Sequence, residues 1–153
     1  MIDSLTVMED VAGRFRAGLA DAGVTGWDVV ADFGGPREAD RPVVLVRLVN
    51  AQATTPGLPT WRMDCQVILS KGCETEMAGM ALGPDVLGVY EVLAGVVSGL
   101  AGDDVVRGDA SGGGDVVARF QGARLEQLRS GILAESGTMA PVGEMVLFVY
   151  FAE

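Results

Sequence analysis

The chain has 153 residues, 49% of them hydrophobic, and a formal net charge of −10 with no histidine. That length fits a single domain with a substantial core, and the acidic balance argues against non-specific nucleic-acid binding, which needs Lys and Arg against phosphates. With no histidine, no activated cysteine and no tight carboxylate group, the residues supply no carrier for acid–base or metal chemistry, so no catalytic residue, metal site or cofactor is expected.

The mean hydropathy of +0.34 is high and leaves two explanations, a membrane protein or a surface covered by partners. The longest apolar stretch, Val86 to Ala101, is interrupted by Glu91, Ser98 and three glycines. It falls short of the roughly 20 apolar residues of a bilayer span. The opening MIDSLTVMED carries acids, not the basic start of a signal peptide. The expectation is a cytosolic protein with partner-covered surface and no membrane. Cys65 and Cys73 could form one disulfide, but nothing marks an oxidising compartment, so both are expected reduced.

Residues 4–22 read as an amphipathic helix, with Leu5, Met8, Phe15, Leu19 and Ala22 on one stripe and Val11 or Ala12 filling the gap. Thr6 and Glu9 have capping-box spacing, Asp3 and Ser4 are alternative caps, and Gly23 is the stop. Trp27–Phe33 is a short strand, followed by a charged, turn-rich connection over 34–42. Val43–Val49 is a β-branched strand whose one charge is Arg47. A polar loop over 51–60 leads to Trp61–Leu69, the clearest alternation in the chain. Trp61, Met63, Cys65, Val67 and Leu69 share one face there, and Arg62, Asp64, Gln66 and Ile68 the other.

Segment 71–83 is irregular and rich in Met and Gly. Pro84 sits at a first helical position beside Asp85, and Val86, Tyr90, Leu93, Val97 and Leu100 form the stripe of a core helix ended by Gly102. Gly88, Gly95 and Gly99 line another flank. They give either a smooth contact for a sheet or helix or, the preferred reading, glycines tolerated because the helix is buried. Residues 108–115, GDASGGGD, form a surface loop in which alanine at 112–114 should leave folding intact. Val116–Phe120 and Ala123–Glu135 read as strands, with a bulge at Gly131. GTMAPVG, 137–143, reads as a turn. Glu144–Ala152 is a strand so apolar that both faces must be covered, or one face plus a partner. The order predicts an α+β fold: a mixed or antiparallel sheet of about five to six strands, with an N-terminal helix and one central amphipathic helix packed on it.

Few constellations offer chemistry. The glycines at 112–114 lack the Lys and Ser/Thr of a P-loop. Glu74, Glu76 and Asp64 read as a solvated group before a weak cation site. Ser111 and Ser136 have no base within motif reach. Asp103, Asp104, Asp109 and Asp115 form either a solvated rim or an acidic surface that lets DNA pass without adhesion. Trp61 is a core anchor or a contact residue. Arg37 and Arg41 in the first long loop, and Arg47 and Arg62 on strands, make inter-subunit bridges or intramolecular pairs, and both readings stay open. Candidate inter-subunit or inter-ring contacts are therefore Arg37, Arg41, Arg47, Trp61, Arg62, Asp109 and Asp115.

The order of four segments carries a resemblance. LTVMEDVAGRFRAGLADAG precedes a meander with PVVLVRLVN and WRMDCQVILSKG. PDVLGVYEVLAGVVSGL follows, and RLEQLRSGILAES with EMVLFVYFAE closes the chain. This resembles the tail terminator, or tail completion, family of tailed bacteriophages and related prophage particles, over nearly the whole chain. The resemblance implies a small α+β subunit that forms a ring, usually a hexamer, capping the last ring of the tail-tube protein. Such a ring stops tube polymerisation and docks to head-completion or connector proteins, and DNA passes through its lumen without specific binding. It implies a place in the tail–neck region of a virion, after assembly in the host cytoplasm, and it brings no catalytic residues. The loops at 34–42, 51–60 and 108–115 would make contacts between rings, while 71–83 has no family counterpart. The alternatives are a tail-tube or other head–tail connector subunit, a small cytosolic ligand-binding domain or enzyme acting as a dimer, and an adaptor that binds one partner through its last strand.

Overall fold

Asp3 starts the first helix. Its carboxylate accepts from the Thr6 backbone N–H at 3.1 Å and from the Thr6 hydroxyl at 2.8 Å. The N-cap is therefore Asp3, one of the alternatives, and not the Thr6–Glu9 box. The computed structural model describes residues 3–32, 42–70, 84–107, 114–132 and 139–151. Helix α1 spans Ser4–Asp21, and the chain leaves it through Gly23 at φ 75°. Its buried stripe is Val7, Met8, Val11, Ala12, Phe15 and Leu19. Leu5 and Ala22, expected inside, are exposed. Leu5 sits at the margin of a stripe centred on Val7–Val11 and Met8–Ala12, and Ala22 lies past the last turn.

The strands are β1 (Asp28–Asp32), β2 (Val43–Ala53), β3 (Thr60–Ser70), β4 (Asp104–Arg107), β5 (Asp115–Leu125), β6 (Arg129–Ile132) and β7 (Met139–Phe151). They form one mixed sheet in the order β1-β2-β3-β7-β5-β4, with β6 continuing the β5 side of β7. β1 runs parallel to β2, and every other pair is antiparallel. Helix α2 spans Pro84–Ser98 between β3 and β4, so it ends before the Gly102 stop expected, and Leu100 is buried past its last turn. The α+β fold with an N-terminal and a central helix is thus as expected. Helix α1 packs against both β1 and β4, the two edges of the sheet. The sheet therefore curls around the helices, and all of the main core lies on that one side. There Val44, Met63, Val67, Phe120, Leu147 and Val149 meet Met8, Phe15 and Leu93. The predicted β3 alternation holds: Met63, Cys65, Val67 and Leu69 face the helices, and Ile68 joins Val43 and Leu45 in a smaller cluster on the other face.

Five local expectations need correction. β4 was not anticipated, because four residues between a helix end and a glycine-rich loop carry too little period. β5 is one strand across Gln121, with a register shift between Phe120 and Gly122. The bulge thus sits there and not at Gly131, which pairs regularly with Ala140. Residues 139–143, read as turn, belong to β7. Pro141 is tolerated because it lies beyond the last β3 pairing at Val142 and so needs no N–H on that side. Gly143 is required because the Tyr90 ring covers it: a Cβ there would lie 2.6 Å from Tyr90 Cε1.

The α2 glycines are the fourth correction. Gly95 and Gly99 are exposed, and a Cβ on Gly88 or Gly95 would meet nothing within 4 Å. Neither burial nor close packing explains them. The close approach between helices is at Gly18 of α1, where a Cβ would stand 2.5 Å from Val96 Cγ2. Gly114 is also not the free loop position expected, since its Cβ would lie 2.5 Å from the Arg107 carbonyl oxygen.

Candidate functional site: the helix-free face of the sheet

Among the described residues both helices occupy one side of the sheet, so the opposite face, free of helix there, is where the fold presents side chains in order. Antiparallel register sets that order. Asp64 of β3 lies beside Val146 of β7, which lies beside Arg124 of β5. One step along, Arg62, Phe148 and Gly122 align, and at the far end Thr60, Tyr150 and Arg119 do. A Cβ at Gly122 would make only ordinary contact with the Phe148 ring, at 3.7 Å.

A cleft of about 370 Å³ opens on this face over Val146, walled by Val49, Arg62, Asp64, Gln66, Glu126 and Glu144. Its charges are already paired. Arg62 Nε donates to Asp64 Oδ1 at 3.0 Å, and Asn50 Nδ2 to Asp64 Oδ2 at 3.3 Å. Arg124 Nε lies 3.3 Å from Glu126 Oε1, and Arg129 Nη2 lies 2.9 Å from Glu144 Oε1. Between β4 and β5, Arg119 Nε donates to Asp104 Oδ1 at 2.8 Å. Exposed pairs of this kind contribute little to stability, so they order the side chains without locking them against a better partner.

The titratable groups beneath serve the fold. Cys65 points to the helix side, with its thiol 3.9 Å from Met8 Sδ and 3.8 Å from the Met63 carbonyl oxygen. It is a free thiol. Burial first, then the Asp64 charge, push its pKa up to about 12, so it is no nucleophile near neutral pH. The Tyr90 hydroxyl donates to the Glu126 carbonyl, and burial with the Glu126 charge raises it to about 12. Arg14 donates to Asp10 at 2.7 Å, to Asp103 at 2.6 Å and to the Asp104 carbonyl at 3.1 Å, above the Phe120 ring. Burial opposes its charge, but the Asp10 and Asp103 carboxylates outweigh that and hold its pKa above the ordinary value. Asp103 and Asp104, read as a solvated or DNA-repelling rim, are thus tied to Arg14 and Arg119.

The candidate contact residues separate. Arg47 and Arg62 share the helix-free face, where Arg62 takes the intramolecular pairing with Asp64 and Arg47 lies half-buried in register with Gln66. Trp61 is half-buried on the helix side against the main core, the anchor reading. Asp115 is exposed at the start of β5, in register with Arg107. Arg37, Arg41 and Asp109 lie outside the described residues, as do Cys73, Glu74, Glu76, Ser111, Ser136 and segment 71–83. Of the three loops proposed for ring contacts, 51–60 is described. It is shorter than expected: residues 51–53 belong to β2 and Thr60 to β3, which leaves a hairpin end over 54–59 with Gly57 at φ 82° and Leu58 exposed.

Sequence reading missed Arg119, Arg124 and Arg129, which stand in one row. Their spacing of five would put neighbours on opposite faces of a regular strand. The register shift at Phe120/Gly122 and the break between β5 and β6 each reverse that parity. Among the described residues no group of three or more Cys, Asp or Glu is placed to hold a metal ion, and no helix is long and apolar enough to cross a membrane. No protein-family model and no curated protein sequence matches the chain.

Proposed function

We propose that this chain is a structural ring subunit of a phage tail or neck, a tail terminator that caps the tail tube, stops its growth and docks to head-completion proteins. The observation that carries this reading is the one-sided sheet. An N-terminal helix and a central helix fill one face, in the segment order on which the resemblance rests, and leave the other face as an ordered surface of arginines, carboxylates and aromatic side chains. A surface with paired charges around Val146, Phe148 and Tyr150 suits contact with protein. The net charge of −10 suits a lumen through which DNA slides without adhering.

Native mass spectrometry and negative-stain imaging of the purified chain, alone and with preformed tail tubes, test the reading. A hexameric ring, or capping of tubes by an otherwise monomeric chain, is the expected result. A chain that neither forms a ring nor caps a tube would refute it. The cleft on the helix-free face favours a second reading, a small ligand-binding domain acting as a dimer. A stable dimer whose melting temperature rises with a small polar ligand would bring that reading forward.

A further inference from the structure

Ten of the eleven basic residues are arginine, and three of them stand in a row on the helix-free face. Arg119, Arg124 and Arg129 are in register with Tyr150, Val146 and Val142 of β7. The row is therefore eight residue steps long on β7, roughly 27 Å at about 3.4 Å per residue. Their side chains are 61%, 58% and 68% exposed. The row also borders an open edge. β4 and the two residues before it cover β5 as far as Phe120, and from Gly122 to Ile132 no strand among the described residues pairs with the outer side.

Charge on an open edge discourages edge-to-edge aggregation, and any solvated charge serves that end. A guanidinium adds a fork of five donors. Each of these three meets its carboxylate, on Asp104, Glu126 or Glu144, through one nitrogen of that fork. The other donors can reach a second carboxylate outside the chain. A nucleic acid is the poorer occupant, because the three interleaved carboxylates repel a continuous run of phosphates. Discrete, well-spaced carboxylates are the better one.

The chain itself supplies these on its other side. Glu9 and Asp21 of α1 and Glu91 of α2 are exposed and make no ion pair among the described residues. Only two basic residues stand among the helix residues, Arg14, occupied by Asp10 and Asp103, and Arg16, whose Nε donates to the Val29 carbonyl at 3.0 Å, against the acids Glu9, Asp10, Asp21, Asp85 and Glu91. The helix layer thus offers carboxylates without a partner among the described residues where the edge row offers guanidinium donors to spare, and Arg14, which holds Asp10 and Asp103 together, shows one arginine joining two carboxylates in this chain.

We propose that the Arg119–Arg124–Arg129 row of one copy docks on the helix-layer carboxylates of the next copy. The inference rests on the ring reading above and names the surfaces of its subunit contact. Because the two surfaces differ, the contact is head-to-tail, the type that closes into rings. The row lies at one edge of a curled sheet, so successive copies turn relative to one another.

A charge swap tests it, read by native mass spectrometry or, if rings form only on tubes, by tube capping. Arg124→Glu with Arg129→Glu should raise the concentration needed for assembly at least tenfold. Asp21→Arg with Glu91→Arg should do the same, and the chain carrying all four changes should regain assembly. Arg124→Gln with Arg129→Gln, which creates no like-charge neighbours, should also lose assembly at unchanged melting temperature. Wild-type rings with unaffected variants would overturn this contact and leave the ring reading standing. Loss in both charge-reversed pairs without recovery in the combined chain would likewise overturn it, as would DNA retention by the wild type that the Arg variants abolish. A wild-type chain that neither assembles nor caps tubes would overturn the ring reading, and this contact with it.

Discussion

Gly18 and Gly95 occupy helix interiors, yet opposite consequences follow from replacing them. At Gly18 an added methyl meets the β-branched Val96 at 2.5 Å, and a valine in a helix has little rotamer freedom to yield. Gly18→Ala should therefore cost about 1–3 kcal/mol. Gly95 has open space, so Gly95→Ala should stabilise by about 1 kcal/mol through helix propensity alone. Urea unfolding of the two variants checks both signs. Tyr90 carries a pH dependence of its own. Its folded pKa is raised to about 12, so the folded state holds the phenolic proton more tightly than the unfolded chain does. That contribution is complete below the ordinary tyrosine value of about 10 and is lost as the pH rises from there to about 12. Tyr90→Phe should cost about 1 kcal/mol at neutral pH through the lost bond to the Glu126 carbonyl. It should also flatten this alkaline decline when melting is followed against pH.

At the scale of elements, β7 is the strand on which the sheet depends. It pairs with β3 along one side and with β5 and β6 along the other. It also carries Met145, Leu147 and Val149 into the core. A chain ending before Glu144 would leave β3 and β5 without their shared neighbour. It should show no cooperative melting by circular dichroism; a soluble truncation with a sharp transition would mean that the sheet closes without β7. The apolar run made this strand visible from 144 onward. Its first five residues were not visible, because Pro141 and Gly143 are turn formers by local chemistry. Pairing with β6 makes Met139–Val142 a strand, and the Tyr90 ring leaves no room for a side chain at Gly143.

For the whole molecule, the decisive contact is the one that closes the curl. Helix α1 lies between the two sheet edges, with Arg16 bound to the Val29 carbonyl of β1 and Arg14 bound to Asp103 and the Asp104 carbonyl at β4. Arg14→Met keeps an aliphatic stem over Phe120 but removes these bonds. It should destabilise by roughly 1–3 kcal/mol, with amide exchange in β4 accelerating before that in β3. If all strands exchanged together as before, α1 would not be the closure.

Local pattern determined much of this protein. The start of α2 at Pro84, the alternation of β3, the Gly23 stop and the α+β class follow from hydrophobic period and cap chemistry, which act within a few residues. The tertiary structure alone decided which glycine meets a neighbouring helix, that Asp103 and Asp104 hold arginines, and that Arg119, Arg124 and Arg129 stand in one row. Each of these depends on what a distant segment places opposite. A bulge reverses the facing of every residue beyond it, and the shift between Phe120 and Gly122 has no signature in the period of the strand itself.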